Sequence, residues 1–152
     1  MSARSYRRRL PHWRREGVTY FVTWRLHRSQ RDLSPEERTI VLDVLRYFVG
    51  ARYRLHALVV MNDHVHVVVT PLAGRELGKI LHTWKSFSAH RMQRETGRRG
   101  PLWQIDSYDR IIRCASDLVE KIRYIRKNPS RRWPGRSQYS WLWFVGMPND
   151  DG

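Results

Sequence analysis

The sequence predicts an α+β fold of the ferredoxin-like type, a sandwich in which an antiparallel sheet carries its helices on one face. Three observations lead to this prediction. The 152 residues suit a single domain. Strand and helix patterns alternate in the order β-α-β-β-α-β-α, and a two-residue turn between two of the strands predicts an antiparallel hairpin. We divide the chain into a basic leader (residues 1–16), a main domain (residues 17–130) and an aromatic tail (residues 131–152) expected to pack on the domain.

The first half of the domain is predicted to contain a strand, a helix and the hairpin. Residues 17–26 are rich in β-branched and aromatic side chains, which favours a strand. Ser34 before Pro35 and two acids is typical of a helix start, and apolar residues at helical spacing extend the helix to about residue 49. Residues 53–61 and 64–70 are predicted strands, joined by a turn at residues 62–63.

The second half is predicted to contain two helices and an extended segment. Residues 75–96 have an apolar stripe at helical spacing, and residues 103–112 are predicted to be extended. Ser116 is the expected cap of a third helix that runs to about Lys127. We expect Asn128 and Pro129 to end this helix, because the residue before a proline disfavours helical geometry.

Basic residues outnumber acidic ones by 29 to 14, which gives a formal net charge of +15. Twenty-five of the basic residues are arginines, which bind phosphate in a bidentate manner and stack on bases. A GC-rich genome would explain arginine in place of lysine, but it would not explain the shortage of acids. The balance therefore favours a polyanionic partner such as nucleic acid.

The composition also bears on where the protein acts. No apolar run approaches the roughly 20 residues of a membrane span. The chain begins with charged residues rather than with an apolar signal region. The single cysteine, Cys114, excludes an internal disulfide and fits a reducing compartment. We expect a cytoplasmic protein without a membrane partner.

Residues 64–70 (HVHVVVT) contain the most informative pattern in the chain. Alternation with period two indicates a strand with one face in the core, so His64 and His66 are expected to project from the same face. Two imidazoles in this arrangement can hold one divalent ion or bind one phosphate. Two histidines on a solvated sheet face would give the same pattern, so the pair alone does not decide between these explanations.

Tyr124 and Asn128 lie four residues apart near the end of the third predicted helix, and they therefore share a helical face. Four cationic residues surround Tyr124 in the sequence: Lys121, Arg123, Arg126 and Lys127. A phenol is a poor nucleophile unless positive charge or a nearby metal ion lowers the cost of forming the phenolate. The Asn128 amide oxygen can complete a coordination shell begun by the two histidines. An interfacial tyrosine and a helix C-cap before Pro129 are the simpler explanations, and the pattern leaves them open.

Several stretches together carry a resemblance to a known family: residues 8–12 (RRLPH), 19–26 (TYFVTWRL), 56–66 (HALVVMNDHVH), 84–87 (WKSF), 100–104 (GPLWQ), 108–113 (YDRIIR) and 124–129 (YIRKNP). In this order they resemble REP-associated tyrosine transposases, within the wider group of single-tyrosine HUH transposases. HVH alone is unspecific, whereas the combination is specific. The sequence departs from the family pattern at Asp63 and at residues 130–132 (SRR), where an apolar residue commonly follows the proline.

The resemblance implies a role for each candidate residue in a HUH transposase-like catalytic domain. His64 and His66 are the implied metal-binding pair, Asn128 is the third ligand, and Tyr124 is the nucleophile. The implied reaction is transesterification on single-stranded DNA with Mg²⁺ or Mn²⁺, through a 5′-phosphotyrosine link and a free 3′-hydroxyl. Residues expected to follow the DNA backbone are Arg7, Arg8, Arg9, Arg14, Arg98, Arg99, Arg123, Arg126 and Lys127.

The resemblance further implies a hairpin DNA substrate with a guide tetranucleotide at its foot, and a bacterial, nucleoid-associated protein. It leaves open whether the protein is a homodimer and whether Tyr124 serves the metal of its own subunit or of a partner. One alternative is a catalytically silent, domesticated DNA-binding module of the same fold. A second is an RNA-binding domain, which predicts aromatic residues rather than histidines on the open sheet face. A third, a structural zinc site, is disfavoured because the chain has one cysteine and no third histidine at the usual spacing.

Overall fold

The computed structural model describes residues 17–136 and 138–146. Its elements in chain order are β1 (Thr19–Arg25), α1 (Pro35–Tyr47), β2 (Tyr53–Val60), β3 (His64–Pro71), α2 (Leu77–Glu95), β4 (Tyr108–Ile112), α3 (Ala115–Arg132) and β5 (Leu142–Phe144). The leader lies outside the described residues, so DNA contacts of Arg7, Arg8, Arg9 and Arg14 stay predictions. Among the helices of the described part, none is long and apolar enough to cross a membrane.

The five strands form one sheet in the order β4-β1-β3-β2-β5, and every neighbouring pair is antiparallel. The order of the first four strands is that of a ferredoxin-like sheet, which confirms the predicted α+β class. β3 occupies the centre and is hydrogen-bonded on both sides. Its register with β1 sets Thr23 opposite His66 and Arg25 opposite His64, so these four side chains share one face.

The helices lie on both faces of the sheet, which corrects the prediction of helices on one face. α1 and α2 cover the face that carries Val22, Leu58 and Val67, and together they enclose the larger part of the core. α3 packs against the opposite face through Ile125, next to Phe21 and Val68. In β3, Val65, Val67 and Val69 lie on one face and Val68 lies on the face of the histidines. Both faces of this strand therefore have apolar surface to bury, and both are covered.

Local signals in the first half of the chain act as predicted. The Ser34 side chain accepts a hydrogen bond from the Glu37 N–H, the Glu37 carboxylate accepts one from the Ser34 N–H, and Pro35 occupies the first turn. The hairpin turn at Asn62 and Asp63 is closed by a hydrogen bond from the Met61 N–H to the His64 carbonyl. These contacts fix the position at which the histidine strand begins.

α3 begins two residues earlier than predicted, because its N-cap is Cys114 rather than Ser116, and it ends about five residues later, at Arg132. Pro129 lies inside the helix, which corrects the prediction that Asn128 and Pro129 end it. Proline lacks an N–H, so the carbonyl of Ile125 loses its usual helical donor. Pro129 is buried near the end of the helix, where the Trp133 N–H still donates to the Pro129 carbonyl at 2.8 Å. Burial helps to offset the missing bond, and the helix gains a further turn.

The tail adds a short edge strand that the sequence did not predict. β5 pairs with β2, and Phe144 is buried between this pair and α3. The proposed boundary between residues 130 and 131 falls inside α3, so the domain division does not coincide with the end of an element. The extended segment of residues 103–112 is a strand only from Tyr108, while Trp103 forms an isolated bridge with Leu26.

Candidate active site

A pocket of about 370 Å³ opens at the start of β3, between the sheet and α3. All four residues predicted for the chemistry line it: His64, His66, Tyr124 and Asn128. The other lining residues are Arg25, Met61, Asn62, Asp63, Arg131 and Arg132. The strand contributes the paired imidazoles, and one face of α3 contributes the tyrosine, the amide and two arginines.

The two imidazoles are held in place through the same ring nitrogen. Their ring centroids are 4.7 Å apart. His64 Nδ1 lies 2.7 Å from Asp63 Oδ1, and His66 Nδ1 lies 2.7 Å from the Thr23 hydroxyl. A hydrogen bond at Nδ1 leaves Nε2 of each ring as the nitrogen for a ligand, and such partners orient a metal-binding histidine. The pair therefore has the partner contacts that a binding role requires.

His66 is buried and stays neutral over the physiological pH range. Burial is the main cause that lowers its pKa to about 3, and the charges of His64 and Arg25 lower the pKa further. The ring also stacks on Phe21 at a centroid distance of 5.5 Å. A neutral imidazole presents a lone pair, which is the form that binds a metal ion.

Tyr124 is half-buried and faces the histidine pair. Its ring centroid is 5.3 Å from that of His66, and its ring meets Phe21 edge to face at 5.9 Å. The Arg131 guanidinium lies over the tyrosine ring, 4.9 Å from the centroid. The Arg131 guanidinium therefore brings positive charge to the side of the pocket on which the tyrosine lies.

Asn128 is nearly buried, and its side chain makes no hydrogen bond to any other residue of the described segments. Because Asn128 lines the pocket, its amide oxygen is available there to a ligand that binds oxygen. Residues 17–136 and 138–146 contain no group of three or more His, Cys, Asp or Glu side chains that could hold a metal ion. The candidate site has two imidazoles and one amide oxygen, and an asparagine does not count toward such a group. These three ligands suit a divalent ion whose remaining coordination positions are filled by phosphate or water oxygens.

Arg25, Arg131 and Arg132 complete the pocket, and sequence reasoning missed all three. Within the described segments none of them forms a salt bridge with a carboxylate. Arg131 and Arg132 follow Tyr124 by seven and eight residues, which is two helical turns on the same face. This spacing would have identified them if Pro129 had not been taken as the helix end. Arg25 could be identified only from the register of β1 against β3, which places it opposite His64.

Arg98 is a correction among the predicted DNA-binding residues. Its side chain is 4% exposed, and its guanidinium is bound to Glu37 at 2.7 and 2.8 Å. The remaining N–H groups are donated to Gln30 and to the carbonyls of Arg31 and Asp32. Since all five donors are engaged, Arg98 has none left for DNA.

The other predicted DNA-binding residues of the described segments lie at the surface but outside the pocket. Arg99, Arg123 and Lys127 are exposed. Arg126 is also exposed, and its guanidinium lies 4.3 Å from the centroid of Phe144, so part of its role is to cover the tail. DNA binding by these four residues stays a prediction.

A larger groove, of about 640 Å³, lies between α1 and α2 on the far face of the sheet. It is lined by Tyr47, Phe87, His90 and three arginines among others, but it contains neither the histidine pair nor Tyr124. Its arginines include Arg91, which forms ion pairs with Asp43 and Glu95. We therefore place the chemistry in the smaller pocket, where the candidate residues converge.

The fold and this pocket define a class of α+β domain in which a helical tyrosine faces a histidine pair on the central strand. The chain belongs to the IS200-like transposase family, because the family model "Transposase IS200 like" matches residues 17–128. This finding confirms the family that the sequence motifs predicted. No curated protein matches the sequence.

The solved structures that are similar to this chain include a transposase and a putative transposase. One is a REP-associated tyrosine transposase bound to a REP hairpin, with 21% sequence identity, a TM-score of 0.69, and coverage of 83% of this chain and 76% of that chain. The other is a putative transposase from Deinococcus radiodurans R1, with 21% identity, a TM-score of 0.53, and coverage of 74% and 90%. At this level of identity, both comparisons establish the shared fold.

Proposed function

We propose that this transposase cleaves and rejoins single-stranded DNA by transesterification, with Tyr124 as the nucleophile. The observation that carries the proposal is the approach of the Tyr124 ring to within 5.3 Å of His66, in a pocket that also contains His64 and Asn128. Membership of a transposase family supplies the reaction class. The convergence of these four residues supplies the nucleophile and a place for the scissile phosphate.

The proposed step exchanges one ester for another. The Tyr124 oxygen attacks phosphorus in line, the bond from phosphorus to the 3′ oxygen breaks, and a 5′-phosphotyrosine forms. The phenol gives up one proton and the departing 3′ oxygen takes up one, so the products are the covalent adduct and a free 3′-hydroxyl. Because the phosphodiester energy is kept, a 3′-hydroxyl can reverse the step and join strands without a nucleotide cofactor.

His64, His66 and Asn128 would hold the Mg²⁺ or Mn²⁺ ion. When bound there, the ion would polarise the scissile phosphate and neutralise part of its charge. Asp63 and Thr23 contact Nδ1 of the two rings, which leaves Nε2 of each ring as the nitrogen that would bind the ion. In the same pocket, Arg25, Arg131 and Arg132 bring positive charge to the phosphate.

The proposed substrate is single-stranded DNA that carries a hairpin. The net charge of +15 suits a polyanion, and the similar transposase of known structure is bound to a REP hairpin. A bacterial cytoplasmic, nucleoid-associated location and a homodimer follow from the same family analogy and stay part of this proposal. In the single chain the Tyr124 ring already lies beside its own His66, which favours attack within one subunit.

Incubation of the purified protein with end-labelled hairpin DNA, with and without Mn²⁺, tests the proposal. We expect a covalent adduct that requires Mn²⁺ and disappears in Tyr124→Phe, while hairpin binding by that variant persists. Tyr108→Phe is the matched control, because Tyr108 is an exposed tyrosine directly opposite Thr23, on the same face of the sheet. Two strand spacings, roughly 10 Å, separate it from the histidine strand.

The same assay separates the alternatives. An adduct that survives in Tyr124→Phe and vanishes in Tyr108→Phe would show that the nucleophile is misassigned. Binding of the hairpin without any adduct in the wild-type protein, over a range of Mn²⁺ and Mg²⁺ concentrations, would indicate the silent binding module instead.

A further inference from the structure

The indole ring of Trp133, the residue that follows α3, is surrounded by three arginines. The members of this arginine–aromatic cluster are Arg38, Arg132, Arg136, Trp133, Tyr139 and Trp141. The guanidinium carbons of Arg38, Arg132 and Arg136 lie 5.6, 5.3 and 5.1 Å from the Trp133 ring centroid. Trp133 in turn stacks on Tyr139 at 5.4 Å, and Tyr139 meets Trp141 at 5.3 Å. Three like charges are thus held around a single aromatic stack.

The cluster is fixed to the body of the protein. The Tyr139 hydroxyl donates to the Val60 carbonyl at 2.6 Å, and the Trp141 indole N–H donates to the Thr39 hydroxyl at 3.0 Å. Arg38 lies over both Trp133 and Trp141 and ties α1 to this segment. The aromatic rings therefore form a rigid support, and the arginines on it are partly ordered before any ligand arrives.

The arginines of the cluster have no carboxylate partner in the described part of the chain. In residues 17–136 and 138–146, none of Arg38, Arg132 and Arg136 forms a salt bridge with a carboxylate. The Nε of Arg38 is also buried without a hydrogen-bond partner there. A cation–π contact holds a guanidinium without using its N–H donors, so the exposed Arg132 and Arg136 keep donors for an anion. Grouping three like charges is unfavourable unless an anion binds among them.

Arg132 connects the cluster to the pocket of Tyr124, because it lines that pocket and also lies over Trp133. Arg131, its neighbour, lies over the Tyr124 ring. A strand whose scissile phosphate sits beside Tyr124 would therefore carry its next phosphates past Arg132 towards Arg136. Guanidinium groups and indole rings are also the side chains on which unpaired bases stack.

We propose that Arg132, Trp133 and Arg136 bind the unpaired DNA that adjoins the cleaved linkage, with Arg38 supporting the indole from behind. This inference rests on the proposed function, since it takes single-stranded DNA as the ligand. It assigns a binding role to the SRR segment that departs from the family pattern. The extra helical turn beyond Pro129 is what brings that segment to the pocket.

Fluorescence anisotropy with two labelled DNAs tests the inference: a hairpin with unpaired extensions, and the same hairpin without them. All variants carry Tyr124→Phe, so that no covalent reaction competes with binding. In the double variant Arg132→Gln/Arg136→Gln, we expect the affinity for the extended DNA to fall roughly tenfold or more. The slope of log affinity against log salt should shrink by about 1.4, and affinity for the bare hairpin should hold.

Arg46→Gln/Arg94→Gln is the matched control, since it removes two arginines from the groove between α1 and α2 on the far face. An equal loss of affinity in this control, an equal loss for both DNAs, or no loss for the extended DNA would each overturn the inference. If the double variant fails to fold, Arg136→Gln alone, at an exposed residue outside the pocket, should still weaken binding of the extended DNA. Formation of the covalent adduct is measured separately, on protein that retains Tyr124. A failure of the proposed chemistry can therefore be distinguished from a failure of the proposed binding surface.

Discussion

Replacement of Arg98 by alanine should destabilise the fold without removing a DNA contact. The guanidinium donates five hydrogen bonds, two of them to the Glu37 carboxylate, whose side chain has no exposed surface. In Arg98→Ala the Glu37 carboxylate would keep its bonds from Ser34 and Thr96. It would also keep a longer contact, 3.4 Å, with the mostly exposed Arg31, but it would lose its main countercharge. The pair joins the start of α1 to the loop after α2, so its loss affects the helical layer.

The size of the effect follows from burial of the pair. Removal of one partner of a buried ion pair costs about 3–5 kcal/mol, because the other charge stays buried and unpaired. In a protein of this length each kcal/mol corresponds to roughly 2–4 °C in Tm. We therefore expect the Tm of Arg98→Ala to fall by roughly 6–20 °C.

Circular dichroism melting curves measure this change, and Arg99→Ala is the control at the next position. Arg99 is exposed, so its replacement should alter stability by less than about 0.5 kcal/mol. Hairpin binding is then compared at a temperature where both variants are folded. If the two variants have the same Tm, and Arg98→Ala binds the hairpin more weakly than Arg99→Ala, then Arg98 contacts DNA and our assignment is wrong.

Three further predictions follow from single contacts. Thr23→Val removes the hydroxyl bound to His66, so we expect the Mn²⁺ concentration for half-maximal adduct formation to rise roughly 10–100-fold. Burial raises the pKa of Glu37, but hydrogen bonds led by that of Arg98 hold the pKa well below its usual range. The contribution of Glu37 to the free energy of unfolding should therefore be fully present above about pH 4.3. It should be lost as the pH falls below that value, because the carboxylate takes up a proton more readily in the unfolded chain. Glu37→Gln should lack this pH dependence. Tyr53→Phe leaves the buried indole N–H of Trp84 without its acceptor and should cost about 1–3 kcal/mol in denaturant unfolding.

Each of these predictions has a neighbour that serves as control. Thr19→Val removes a hydroxyl from the same face of β1 far from the histidines, and it should leave the Mn²⁺ requirement unchanged. Glu36→Gln alters an exposed side chain and should leave the loss of stability at acid pH unchanged. Tyr47→Phe also alters an exposed side chain and should leave the free energy of unfolding unchanged. A control that behaves like its test variant would contradict the contact on which that prediction depends.

Local patterns were sufficient for the fold class and for the core of the site. The alternation in residues 64–70 predicted both the strand and the shared face of His64 and His66, because side chains in a strand alternate whatever the tertiary context. The spacing of Tyr124 and Asn128 likewise placed both residues on one helical face. The Ser34 cap and the hairpin turn at residues 62–63 depend on near neighbours, and they too were predicted correctly.

Features that depend on tertiary contacts were missed. The partnership of Thr23 with His66 needs the register between β1 and β3, which no local pattern specifies. The continuation of α3 through Pro129 accompanies burial of that proline, which only the tertiary structure provides. Arg98 resembles any other arginine in a basic loop until Glu37, sixty-one residues earlier, is brought against it.

The two halves of the site belong to elements that should differ in their free energy of local unfolding. His64 and His66 belong to the middle strand, whose amides are bonded on both sides and should exchange with deuterium only when the whole domain unfolds. Tyr124 belongs to a helix with three buried residues, Ile125, Asn128 and Pro129, which should exchange at a lower free energy. On warming, Tyr124 should therefore move away from His64 and His66 while the sheet is still formed. The proposed cleavage should cease at a temperature below that at which the sheet unfolds.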